Sequence, residues 1–262
     1  MTTAEDAVGA VRGDVTGLAI PAHADALRAG GAAFLSTAFQ AFGSLDPGTR
    51  VARIRRFENC PGGSTGQKLF LSVEYDPPAP QLHADLFVKF SRDFSDPLRD
   101  RGRFEMASEV RFAALSRLAD FPVSVPRAYY ADYHQESGTG VLITQRIPFG
   151  VGGIEPQHQK CLDHELADPA SYYRAIVTAL ARLAAAHKAG RLRADVDVQF
   201  PFDPQAAAAA DRIRYDERQL RELVAAYAEF ATKYPQLLPA SIRAPGFLSA
   251  LERDACRLLA HE

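Results

Sequence analysis

The residues of this 262-residue chain whose types and spacing could do chemistry cluster between positions 60 and 110. Gly62, Gly63, Ser64, Thr65 and Gly66 form a glycine-rich turn after Cys60 and Pro61. Glycines permit positive φ and close backbone approach. Successive amides in such a turn can form a nest for an anion, and Ser64 and Thr65 add hydroxyl donors. The same residues also read as a flexible hairpin loop with no chemistry. Lys89 follows in the apolar run Leu86–Phe87–Val88–Lys89–Phe90. Burying an unpaired ammonium is costly, so Lys89 needs an anion, either a carboxylate or a ligand phosphate, unless it lies at a strand end and reaches solvent. Glu109 is the natural carboxylate, on a helix rich in apolar neighbours. Glu105 lies one turn earlier on the same face and competes with it.

These groups depend on the elements that carry them. Residues 51–59 (VARIRRFEN) and 67–75 (QKLFLSVEY) alternate apolar and polar positions as half-buried strands do, with the glycine turn between them. Arg53, Arg55 and Arg56 fall on the expected solvent face of the first. Residues 84–90 read as a third, central strand. Alternation puts Phe87 and Lys89 on one face of it, with Leu86 and Val88 on the other. Residues 103–118 have amphipathic helical spacing, and two further strands follow at 127–134 and 140–147. The order predicts a five-stranded antiparallel sheet with one packed helix. Helices are expected before it, within residues 1–50, and after it near 170–190, 205–232 and 245–260. The class is α+β with two lobes, residues 51–150 and a helical 151–262, joined by the glycine-rich segment 148–153.

Glycine turn, strand lysine, helix glutamate, two strands and a helical region, in that order, are the parts of a protein-kinase-like nucleotide lobe. The chain resembles the aminoglycoside phosphotransferase and choline kinase superfamily, and within it the ecdysteroid-kinase-like branch. The resemblance rests on NCPGGSTGQKLFLSVEY, ADLFVKF, SEVRFAAL, VSVPRAYYADY, GVLITQRIPFG and ALARLAAAHKAGRL, and covers about residues 51–191. It implies a protein-kinase-like fold, ATP as cofactor and a hydroxyl of a small molecule as phosphate acceptor. It assigns Lys89 to the phosphates, favours Glu109 over Glu105 as its partner, and places Gly62–Gly66 over the phosphates. It puts Ile143 at the back of the nucleotide pocket and Thr144, Gln145 and Ile147 near the adenine, with Gln145 where many relatives carry an acidic residue.

The resemblance also implies a His-x-Asp motif with an asparagine five residues after the aspartate, and Mg2+ held by that later segment. The chain has two such triplets. After His23–Ala24–Asp25 the asparagine position is Gly30, and after His83–Ala84–Asp85 it is Phe90. No catalytic residue and no metal ligand is therefore assigned within residues 1–262, and a chain cut before its catalytic loop is expected. The alternative is a pseudokinase, a module that binds nucleotide or a partner without turnover. A purely structural fragment would expose apolar helix faces and favour dimerisation.

Composition narrows the field further. A formal net charge of −2 gives no field for nucleic acid or an anionic membrane. Cys60, Cys161 and Cys256 form no CxxC, which argues against a disulfide framework or zinc site and for a reducing, cytoplasmic setting. No apolar run approaches the roughly 20 residues that span a bilayer. The glycine turn is followed by a strand pattern, which excludes a Rossmann fingerprint. No GK[ST] occurs for a P-loop and no HExxH for a zinc protease.

Overall fold

A computed structural model of the protein describes residues 10–202 and 216–259. It divides into two compact units, Met1–Phe200 and Pro201–Glu262. The expected helical stretch at 205–215 lies outside the described residues.

The first unit is built on five strands: β3 (Arg50–Asn59), β4 (Lys68–Asp76), β5 (Asp85–Phe90), β6 (Ala128–His134) and β7 (Thr139–Gln145). They form an antiparallel sheet in the order β3-β4-β5-β7-β6. One face carries Leu69, Leu71 and Val73 of β4, Leu86, Val88 and Phe90 of β5, and Val141 and Ile143 of β7, all buried. Burying each such side chain contributes about 1.5–3 kcal/mol. Helix α1 (Ala24–Ala41) contributes Leu27, Leu35 and Phe39 to the same core, with Phe39 packed on Tyr129 at a ring separation of 5.3 Å.

Three features depart from the sequence pattern. Two short strands, β1 (Ala10–Arg12) and β2 (Ala19–Pro21), form a separate antiparallel pair before α1, where only a tail and one helix are expected. Their three-residue length leaves no alternation to read. Bulges in β3 shift the register between Val51 and Arg53 and again between Ile54 and Arg56. Arg53 and Arg55 therefore stay outward and both pair with Glu74, while Arg56 is re-phased beside Ser72 and bonds Glu58 at 2.5 Å. Finally, the helix expected over 103–118 is a 3-10 turn (Gly102–Glu105) followed by α3 (Met106–Leu115), and a short helix not expected, α2 (Pro97–Arg101), precedes them. Asp96 starts α2, accepting from the amides of Leu98 and Arg99, with Pro97 at its first position. Gly102 lies at the junction, where a Cβ would meet the Thr65 methyl at 2.6 Å.

Beyond the sheet, α4 spans Pro169–Lys188 and α5 Val196–Gln199. In the second unit, helix Glu217–Lys233 opens with a reciprocal capping box between Asp216 and Gln219. Arg221 ties it to helix Pro245–Leu259 through Glu252 at 3.0 Å. Among the described residues no helix is long and apolar enough to cross a membrane.

Candidate functional site

The antiparallel register of β4 and β5 sets the site. Lys68 lies opposite Lys89, Phe70 opposite Phe87, and Ser72 opposite Asp85. Because side chains alternate with period two, these three pairs share one face, the one turned away from Leu69, Leu71, Leu86 and Val88. Strand β7 extends the rows, with Leu142 opposite Lys89 and Thr144 opposite Phe87. The face is thus graded along roughly 13 Å, four residues at about 3.3 Å each. Two ammonium groups stand at one end, two aromatic rings in the middle, and a hydroxyl and carboxylate at the other. The rings of Phe70 and Phe87 are 6.1 Å apart and tilted, and the Arg146 guanidinium covers Phe70 at 4.1 Å.

Phe70, Asp85, Phe87, Lys89, Leu142 and Thr144 of this face form one wall of a cavity of about 990 Å3, within the size range of small-molecule sites, with Lys68 and Ser72 outside its lining. Helix α3 supplies a second wall through Glu109, Phe112 and Ala113, and the segment Gln145–Phe149 borders it. Burial of Met106, Val110 and Ala113 fixes the roll of α3. Glu109 then lies at the edge facing β5, and its Oε1 accepts from Lys89 Nζ at 2.6 Å. Lys89 is the more buried partner, at 17% side-chain exposure against 37% for Glu109. Glu105, in the 3-10 turn, is exposed. The break before α3 separates it from the face it was expected to share with Glu109.

The glycine turn has a defined geometry. Gly62, Gly63 and Gly66 all have positive φ, at 93°, 86° and 53°. A Cβ on Gly66 would sit 1.8 Å from the Phe90 carbonyl oxygen, so the turn packs directly against the end of β5. Among the described residues, the amides of residues 62–66 donate to no protein acceptor. Lys68 reaches back under the turn, and its ammonium donates to the Thr65 carbonyl at 2.5 Å and the Gly66 carbonyl at 3.3 Å. Burial pushes the Lys68 pKa down, and the neighbouring charges of Lys89 and Arg99 lower it further. Gly62–Gly66 do not themselves line the cavity, although Cys60 just before them does.

Of the residues expected near the base, Thr144, Gln145 and Ile147 line the cavity and Ile143 does not. Ile143 is fully buried in the core. It shares its pleat face with Val141, whereas Leu142 and Thr144 face the cavity, so the back wall belongs to those even-numbered positions. The Gln145 amide is committed to the Arg127 carbonyl at 2.8 Å, and the Arg146 amide to the Asp85 carbonyl at 3.0 Å. Among the described residues, the amide of Ile147 has no protein acceptor. The two His-x-Asp triplets serve structure. His23 caps α1 by accepting from the Ala26 amide at 3.4 Å, and the His83 amide donates to the Tyr129 hydroxyl at 2.6 Å.

The motif pattern passes over Phe70 and Arg146, which line the cavity, and Lys68, which stands beside its lining as the register partner of Lys89. Their signal was present: Lys-x-Phe at 68–70 mirrors Phe-x-Lys at 87–89, and antiparallel pairing brings like opposite like. Among the described residues, no group of three or more His, Cys, Asp or Glu is placed to hold a metal ion. No family model, no curated protein and no solved structure matches this chain.

Proposed function

We propose that this chain forms the nucleotide-holding lobe of an ATP-dependent phosphotransferase of the protein-kinase-like, aminoglycoside phosphotransferase and choline kinase type, acting on a hydroxyl of a small molecule. The observation that carries the reading is the 2.6 Å Lys89–Glu109 pair on the wall of the cavity, at the cationic end of a face with aromatic rings in its middle. A strand lysine held by a helix carboxylate is oriented to meet the α- and β-phosphates as a fixed point charge. Phe70 and Phe87 offer an apolar surface to a purine. The Ile147 amide is free to donate to its edge, and the glycine turn has amides to spare for phosphate oxygens. ATP therefore fits the residues present. Magnesium has no ligand set among the described residues, and no role is assigned to it.

Thermal unfolding of the whole chain tests the reading. Mg-ATP at about 100 times its dissociation constant should stabilise the fold by about 2.7 kcal/mol. The shift should vanish in Lys89→Ala. A cooperatively folded wild type that does not respond to ATP would sink the proposal.

A second reading, nucleotide binding without turnover, is favoured by the structural use of both His-x-Asp triplets. It shares the ATP-induced shift and predicts no conversion of ATP to ADP by this chain in the presence of hydroxyl acceptors.

A further inference from the structure

We infer that Lys68 is a second ligand for the phosphate chain, moving its ammonium from the carbonyls of the glycine turn to phosphate oxygens when a polyphosphate enters. The inference rests on the nucleotide reading above and extends it to a residue outside the motifs that suggested it.

Four observations support it. First, Lys68 is the register partner of Lys89 on the cavity-side face of the sheet. Like charges directly opposite on adjacent strands are unfavourable, and an anion between them removes the penalty. Second, Glu109, the carboxylate among the described residues that acts on Lys68, bonds Lys89 instead. Among the described residues no Asp or Glu pairs with Lys68, while Lys89 on β5 and Arg99 on α2 press on it with like charge and Glu109 on α3 and Cys60 act from further sides. Third, the ammonium has three donors, and the Thr65 and Gly66 carbonyls take two, the second at a long 3.3 Å. Fourth, the turn is shaped to admit it. A Cβ on Gly63 would lie 2.5 Å from Lys68 Nζ, so a side chain there would displace the ammonium. The ammonium and the unbonded amides of residues 62–66 belong to the same turn. A diphosphate or triphosphate is the ligand class that can use both while also reaching Lys89.

The carbonyl contacts alone are equally those of a strut that holds the turn, so the experiment must separate ligand from strut. Calorimetric titration of the full chain with inorganic tripolyphosphate, ATP and adenosine does so. Lys68→Met is expected to weaken tripolyphosphate and ATP roughly ten- to hundredfold, the loss of one charge-assisted contact. Adenosine affinity should be unchanged, and Lys68→Arg should recover most of the loss. A phosphate beside a depressed ammonium raises its pKa again. Wild-type binding of tripolyphosphate at alkaline pH should therefore take up protons, seen as a dependence of the heat on buffer ionisation enthalpy. The same titration of Lys68→Met should lose most of that uptake, which separates Lys68 from its register partner Lys89 as the source. Lys68→Met binding tripolyphosphate as tightly as wild type, with Lys89→Met impaired, overturns the inference and leaves the nucleotide reading intact. Proton uptake that is unchanged in Lys68→Met also overturns it. A wild type that takes neither ATP nor tripolyphosphate sinks both.

Discussion

At the scale of single residues, the glycine turn makes the sharpest stability prediction, because its glycines are required for different reasons. Gly66 has φ 53°, and a Cβ there would meet a main-chain oxygen at 1.8 Å, an atom that cannot rotate away. Gly62 has φ 93°, and a Cβ there meets nothing within 4 Å. Gly62→Ala should therefore cost only backbone strain, about 1–2 kcal/mol. Gly66→Ala adds displacement of the end of β5 and should cost about 3 kcal/mol or more. Urea denaturation midpoints check the order, and equal losses would contradict the packing described. The same residue scale shows what alternation could and could not disclose. Lys89 and Glu109 were legible because an ammonium in an apolar strand and a carboxylate on a helix edge stand out against their neighbours. The resemblance puts Ile143 at the back of the pocket, but period two sends it to the core with Val141 and leaves Thr144 to face the cavity.

At the scale of elements, the five antiparallel strands could be read from the chain, but neither β1 and β2 nor what holds them against the sheet could. The group with most bonds in that attachment is one carboxylate, which adds to the Asp14 amide on the Tyr133 carbonyl at 2.8 Å and the Gln135 amide on the Asp14 carboxylate at 2.7 Å. Asp132 is fully buried in β6. Its Oδ1 accepts from the Val15 amide at 2.9 Å and the Tyr133 amide at 2.7 Å. Its Oδ2 accepts from the Thr16 amide at 2.9 Å, the Thr16 hydroxyl and the Tyr130 hydroxyl. Gly13 leaves room for it, since a Cβ there would lie 2.3 Å from the carboxyl group. In the sequence Asp132 is one polar residue in Tyr-Tyr-Ala-Asp-Tyr-His, and its partners lie 116 and 117 positions away. No local pattern encodes such a pairing. Asp132→Ala should strand the Val15 and Thr16 amides and lower stability by about 3 kcal/mol. Asp132→Asn keeps the shape and should cost less. Hydrogen exchange supplies the local check: protection of residues 10–21 should fall further in the alanine variant than protection of β4 and β5. Unchanged exchange in that segment would show that the carboxylate is not what fastens it.

At the scale of the whole molecule, burial is distributed unevenly, and stability should follow it. The largest fully buried side chains all lie between Ile20 and Ile143. In α4, by contrast, Ile176, Val177 and Leu180 are more than half exposed, and Ala231 is the one buried hydrophobic residue described in the second unit. Regions with few buried apolar contacts open at lower free energy than the core does. Amide exchange should therefore be slowest in β4, β5 and β7, and faster in α4, Glu217–Lys233 and Pro245–Leu259. ATP sharpens the test, because a ligand held by Lys89 and the β4–β5 face stabilises what it touches. Added Mg-ATP should slow exchange in β4, β5 and residues 140–149, while helix Glu217–Lys233 changes little. The proposed site predicts this contrast as strongly as it predicts binding itself. Slowing confined to the helices beyond Pro169 would place the nucleotide elsewhere, even if the thermal shift appeared as expected.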